Sequence, residues 1–232
     1  MKQVRVGMAV VLLGVLTGSK CLLAQDLEAI KLNQPDKKRG LPFMEAVAAK
    51  ASATEWSERE LSLQDLSDLL WAANGLNRPE ENKTTASSAM NTHDVDIYVF
   101  MEQGIYVYDI REHELKPVLG GDFRSQLMRA PPPRPADKEG ETPRPRPAPA
   151  NAPVQIILVS DAERFRVGTP EQRHEWGAIG AGIISQNISL FCAATGLKTR
   201  PRASMDKEAI GSLLKLRETQ YVLLNHPVGY AK

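Results

Sequence analysis

Nine of the chain's 16 prolines crowd into residues 130–153, interleaved with Arg, Lys and Glu. Proline has no amide N–H to offer a helix or sheet, and its ring fixes φ, so such a run forms an extended, solvated, polyproline-like loop. The 232-residue chain must therefore build its core from the two flanks of this segment. Both flanks mix helix-period and strand-period patterns. That predicts one α+β domain with a loop inserted in it, an arrangement that costs little in loop-closure entropy.

On the first flank, residues 44–50 predict a helix that leads into Ala51-Ser52-Ala53-Thr54-Glu55-Trp56. A second helix starts at Ser62, whose hydroxyl can cap it while Asp65 reaches back. Its apolar positions Leu66, Leu69, Leu70 and Ala73 keep the helical period, and Gly75 ends it. The period then changes to two. Val95, Ile97 and Val99 alternate with Asp96 and Tyr98, and residues 105–108 form a second β-prone run, which predicts a hairpin with Gly104 at the turn. Beyond the prolines, residues 154–159 are apolar apart from Gln155, as in a strand buried on both faces. Residues 182–196 predict a long apolar helix. Asp206 caps another with Ile210, Leu213 and Leu214 inward, and residues 221–224 make the last strand.

At the N-terminus, Lys2 and Arg5 precede an apolar run at residues 6–16, with Ala24 at a cleavage position. This predicts a Sec signal peptide over residues 1–24 and a periplasmic or secreted product, because the run is shorter than a membrane span of about 20 residues. Cys21 raises a lipoprotein alternative, but Lys20 stands where a small residue should precede a lipidated cysteine. Cleavage removes three of the 29 basic residues and no acid, leaving 26 against 28, a balance of −2. That gives no electrostatic case for nucleic acid or an anionic membrane as partner. Cys192 alone survives cleavage, in an apolar stretch that predicts a buried small hydrophobe. Residues 25–43, with Pro35, Gly40 and Pro42, read as a flexible arm, and residues 44–232 as the domain proper.

His93, His113, His174 and His226 have no His or Cys at metal-ligand spacing, so no metal site is expected. No Gly-x-Ser-x-Gly elbow or phosphate-cradling Gly-rich loop is present either. If the chain is an enzyme, its difficult chemistry belongs to a cofactor.

Two stretches carry a resemblance. One is Leu63-Gln64-Asp65-Leu66-Ser67-Asp68-Leu69-Leu70-Trp71-Ala72-Ala73-Asn74-Gly75-Leu76-Asn77-Arg78-Pro79, followed by Ser87-Ser88-Ala89-Met90-Asn91 and Asp96-Ile97-Tyr98-Val99. The other is Gly182-Ile183-Ile184-Ser185-Gln186-Asn187, followed by Gly196-Leu197, Asp206 and Val228-Gly229-Tyr230-Ala231-Lys232. In this order and spacing the chain resembles the nitroreductase family, and within it the branch that includes the thiazole- and oxazole-forming oxidases. The resemblance implies a mixed sheet flanked by helices, an intertwined homodimer, and FMN at the subunit interface.

The family's Arg-x-Ser-x-Arg segment, which holds the FMN phosphate, corresponds to Lys50-Ala51-Ser52-Ala53-Thr54. Lys50 keeps a cation and Ser52 a hydroxyl, while Thr54 replaces the second base. Ser88 and Asn91 fall where the family contacts the flavin, and an Asn amide suits the alternating donor and acceptor edge of that ring. Arg202 and Ala203 lie where the family's backbone meets the ring, with Ala203 replacing a frequent Gly; Gly180 stands where close relatives have Asp. Lys232 matches a terminal base that reaches the phosphate. The resemblance implies a ping-pong oxidoreductase that uses flavin N5, with no protein side chain essential as acid or base and with substrate and electron donor unspecified. Arg5 stands alone rather than in a twin-arginine pair, so the chain would cross the membrane unfolded and acquire FMN afterwards. A flavin-free, non-enzymatic binding protein of the same fold is the alternative.

Overall fold

A computed structural model of the protein describes residues 27–128 and 152–232. The signal segment and nearly all of the proline-rich stretch lie outside the described residues. The elements run β1 (Ile30–Lys31), α1 (Phe43–Ala49), α2 (Leu63–Asn74), β2 (Leu76–Arg78), β3 (Lys83–Thr84), β4 (Val95–Phe100), β5 (Gly104–Asp109), β6 (Glu114–Gly120), β7 (Val154–Asp161), α3 (Pro170–Thr195), β8 (Lys198–Thr199), α4 (Lys207–Leu214) and β9 (Gln220–Gly229). Seven strands form one sheet in the order β1-β6-β5-β4-β7-β9-β8, and β2 and β3 pair apart from it. The ladders between named strands are antiparallel. The parallel component of the expected mixed sheet is the single bridge between Ser52 and Thr199.

Strand β7 organises the core. All eight of its residues are buried, as its unbroken apolar run predicts. Because side chains alternate across a strand, Val154, Ile156 and Leu158 pack on one face with Leu66, Leu69 and Leu70 of α2 and with Ile184 and Ile188 of α3. Ile157 and Val159 face the other way, toward Phe100 and toward Ile210 and Leu214 of α4. The outcome is an α+β sheet with α1, α2 and α3 on one side and α4 on the other.

The Ser62 cap on α2 forms as read: its Oγ accepts from the Asp65 amide at 3.1 Å. The box is not reciprocal, however. Ser62 Oγ donates to the Asp65 carboxylate at 2.6 Å, and the Ser62 amide goes instead to Tyr230 Oη at 3.1 Å. The β4–β5 hairpin turns at Glu102-Gln103, where Met101 and Gly104 exchange backbone hydrogen bonds; Gly104 is the first strand residue rather than the turn.

Three features depart from the local patterns. Helix α3 begins at Pro170, 12 residues before the expected start, behind a Thr169–Gln172 capping box. Strand β6 was masked by Pro117, which pairs with Tyr106 beside a register shift, where a bulge accommodates a proline. The segment read as a flexible arm is docked from Leu27 onward. Ile30 and Lys31 pair with β6, Leu32 is buried, and Arg39 spans Asp65 and Asp68 at 2.6 and 2.7 Å. Those partners lie 26 and 29 residues away, beyond the reach of a local pattern.

Close approach of α3 to the sheet depends on Gly177. A Cβ there would stand 2.1 Å from Ser160 Oγ, whose hydroxyl donates to the buried Asp94 carboxylate at 2.7 Å. Gly211 in α4, by contrast, has open space around it. Gly177→Ala is expected to destabilise the protein by about 1–3 kcal/mol through overpacking, and Gly211→Ala to stabilise it by about 0.5–1 kcal/mol through helix propensity. Urea denaturation of the two variants checks the opposite signs.

Candidate functional site

Helix α1 stops at Lys50, where φ/ψ of −62°/120° turn the chain from helix to extended backbone. The extended segment then lies along β8: Ser52 bridges Thr199, and the Ala53 amide donates to the Thr199 carbonyl at 3.0 Å. Trp56, buried at 5% exposure, donates its indole N–H to the Lys198 carbonyl at 2.9 Å, and the Ser57 amide donates to the Tyr230 carbonyl at 3.0 Å. Residues 51–55, Ser52 and Thr54 among them, line one cleft of about 420 Å³. Its other walls are Ser189, Cys192 and Ala193 of α3, Lys198 and Thr199 of β8, and the terminal Ala231 and Lys232. Lys50 stands beside it, and Lys232 reaches Glu55 at 3.6 Å across an exposed rim.

The structure thus brings Ser52, Thr54 and Lys232 together, with Lys50 at the edge. The neighbouring Arg202 exchanges backbone hydrogen bonds with Asn225 and stacks its guanidinium over Trp56 at 5.6 Å. Burial, with help from Arg200, holds its pKa below the ordinary arginine value. Ala203 is exposed beside it.

Ser88 and Asn91 lie elsewhere. Ser88 adjoins Gly180 and Ile184 of α3, nine residues before Ser189 and Ala193, roughly 13 Å along the helix. Its Oγ accepts from the His93 amide at 3.1 Å. Asn91 lines a second cleft of about 490 Å³ with His93, Asp96, Arg111, Lys116 and Arg164. Met90, Asn91 and His93 all have positive φ, at 54°, 55° and 49°, a left-handed backbone that costs non-glycine residues energy. The loop is held there by Asn91 Nδ2 and His93 Nε2 on the Asn82 carbonyl, at 3.2 and 2.8 Å, and by Arg164 donating to the His93 carbonyl at 2.6 Å.

Sequence reasoning missed Lys198, Thr199 and His226. His226 is fully buried on β9, with Nε2 2.8 Å from Ser185 Oγ on α3 and Nδ1 3.2 Å from Thr199 Oγ1. Burial, with the Lys50 charge adding in the same direction, pushes its pKa down to about 3. Cys192 is buried in the cleft floor, where burial pushes its thiol up and disfavours the nucleophilic thiolate.

A family model described as the nitroreductase family matches residues 51–230. A Methanocaldococcus jannaschii protein carried under a nitroreductase name is 26% identical over 210 residues, covering 88% of this chain and 93% of that one. Among solved structures, one from Ralstonia eutropha, also carried under a nitroreductase name, is similar at a TM-score of 0.76 and 28% identity, covering 88% of this chain and 90% of that one. The E. coli microcin synthetase complex is similar at a TM-score of 0.63 and 15% identity, over 78% and 69% of the two chains. That last likeness shows the fold alone, so the thiazole-forming branch is a distant relation.

His226 also sets a pH dependence. Its folded value, about 3, lies below the ordinary 6.5 of an unfolded chain, so between them the unfolded state binds a proton that the native state does not. Stability from this group is full above about pH 6.5 and falls as pH drops toward 3, by about 1.4 kcal/mol per unit. Urea midpoints at pH 7, 6 and 5 are expected to fall in the wild type and to flatten in His226→Gln.

Proposed function

Because the chain belongs to the nitroreductase family, we propose that it is an FMN-dependent oxidoreductase whose phosphate site is the cleft between residues 50–54, β8 and the C-terminus. The observation that carries this reading is the convergence of Ser52, Thr54 and Lys232 on one cleft, with Lys50 at its edge. The donor set fits a phosphate, because the hydroxyl residues Ser52, Thr54, Ser189 and Thr199 and the lysines at 198 and 232 line the space, Lys50 adjoins it, and only Glu55 among its lining residues is acidic. Hydrogen bonds from cations to phosphate are among the strongest available, and Lys198 and Lys232 supply positive charge that Thr54 does not.

When bound, the flavin supplies the two-electron and hydride chemistry. The chain's own residues hold it. Lys50, Ser52, Thr54 and Lys232 fix the phosphate, Arg202 and Ala203 flank the ring, and Ser88 and Asn91 read the ring edge. Within one chain the Ser88–Asn91 loop lies along α3 from the phosphate cleft, so a second copy is proposed to complete each site. The uncovered apolar surface supports this. Phe43 and Met44 of α1 are 67% and 72% exposed, and Ile179 of α3 is 56% exposed. The basic-apolar-Ala24 pattern adds export to the periplasm or beyond. Intact mass and light scattering on protein from the native host are expected to give a chain beginning near Gln25 and a dimer at micromolar concentration. A retained N-terminal segment would refute the export, and a flavin-bound monomer the dimer.

Flavin titration separates the two ends of the ligand. Lys50→Ala is expected to weaken FMN about tenfold, since a charge-assisted bond contributes about 1.5 kcal/mol at the low end suited to an exposed cation. Thr54→Arg is expected to tighten it. Riboflavin, which lacks the phosphate, is expected to ignore both changes, whereas Asn91→Ala weakens both flavins. If the wild type shows no FMN binding at about 100 μM, the enzyme reading fails and the flavin-free binding protein replaces it.

A further inference from the structure

The anion end of the cleft is held to the rest of the domain through a slender element. Strand β8 is two residues long, and its ladder with β9 has two pairings, Lys198 with Gly229 and Thr199 with Val228. Yet the cleft segment hangs from it. Ser52 bridges Thr199, the Ala53 amide donates to the Thr199 carbonyl, and Trp56 donates to the Lys198 carbonyl. An edge strand so short needs a further tie if it is to carry a binding segment, since a two-stranded pairing is marginal on its own.

His226 supplies that tie. It lies two residues before Val228 on β9, and so on the same face and diagonal to Thr199, a spacing that long side chains bridge. Its ring spans from Thr199 Oγ1 on one side to Ser185 Oγ on the other. Ser185 in turn accepts, through its carbonyl, the hydroxyl of Ser189, which lines the cleft. A neutral imidazole has one donor and one acceptor, and a hydroxyl serves as either, so both ends are satisfied whichever nitrogen carries the proton. The ring and both hydroxyl-bearing residues are at most 8% exposed, so a broken bond there strands a buried polar group.

We propose that His226 is a positioning residue for the anion site: hydrogen-bonded to Thr199 and Ser185, it fixes β8 against α3, and β8 presents Ser52 and Thr54 to the ligand's phosphate. The ligand assignment rests on the FMN reading, while the anchoring geometry does not. A segment held in its binding conformation before the ligand arrives spares the cost of ordering it on binding.

Two substitutions break the Thr199 bond from opposite sides. His226→Gln places its amide where Nε2 was and keeps only the Ser185 contact. Thr199→Val keeps the β-branched shape and loses the hydroxyl. His226→Asn, whose amide replaces Nδ1, keeps the Thr199 contact and loses Ser185, so it cuts the link to α3 from the other end. In the full chain, His226→Gln and Thr199→Val are each expected to weaken FMN about fivefold or more while changing riboflavin less than about twofold, and the double variant is expected to be no worse than either single one. His226→Asn, which severs the tie to α3, is expected to weaken FMN about fivefold or more as well, with riboflavin changed less than about twofold. Equal losses for FMN and riboflavin, or additive losses in the double variant, would overturn the proposal.

Amide hydrogen exchange provides a readout that needs no flavin. In His226→Gln the Ala53 amide is expected to exchange at least about tenfold faster than in wild type, while the central Ile157 amide is unchanged. Unchanged exchange at Ala53 would overturn the anchor whatever the flavin data show. Faster exchange at Ala53 in a protein whose wild type binds no FMN would overturn the FMN reading and leave the anchor standing.

Discussion

Burial of β7 on both of its faces is the constraint from which the rest of the architecture follows. A strand with no solvent-facing side must be flanked by strands at both edges and covered by helices above and below. Here β4 and β9 take the edges, α2 and α3 cover one face, and α4 covers the other. The cost of burying its backbone is offset by pairing along both edges, with register on the β9 side running from Val154–Val228 to Asp161–Gln220 around one shift between Leu158 and Val159. Strand β9 is thereby fixed along most of its length, and β9 then carries β8, Arg202 and His226, the elements beside the cleft lined by residues 51–55.

Helix α3 connects that cleft to the Ser88–Asn91 loop. Its covered face supplies Gly177 to the close contact at Ser160, Gly180 and Ile184 beside Ser88, and Ser189, Cys192 and Ala193 to the cleft. The opposite side, including Ile179, stays exposed in a single chain. One helix therefore touches both candidate regions. The strained turn at residues 90–93 gives the second region its own definition, since three left-handed non-glycine residues persist only where surrounding hydrogen bonds hold them.

The parts of the fold legible in the sequence are those whose physics is local. The 3.6 period and Ser62 cap announced α2, strict alternation announced β4, an unbroken apolar run announced β7, and Asp206 announced α4. The first 12 residues of α3 were hidden because polar and glycine positions there blur the helical period, although Thr169 and Gln172 cap it. Strand β6 was hidden by Pro117, and the docking of residues 27–41 by partners distant in sequence. The cleft divides in the same way. Lys50, Ser52, Thr54 and Lys232 could be named only by resemblance, because nothing local links the two ends of the chain. Lys198, Thr199 and His226 had no signal at all, because their meeting depends on the β8–β9 register and on a helix packed over it.

The central claim is that the segment of residues 52–54, hung on β8, receives the phosphate end of a flavin. Chemical-shift mapping of backbone amides tests it most directly. The account predicts that FMN and inorganic phosphate both shift the Ser52, Ala53 and Thr54 amides, that riboflavin leaves them in place, and that Asn91 responds to both flavins but not to phosphate. Ser52–Thr54 amides that ignore FMN, or that move as much with riboflavin as with FMN, would contradict it.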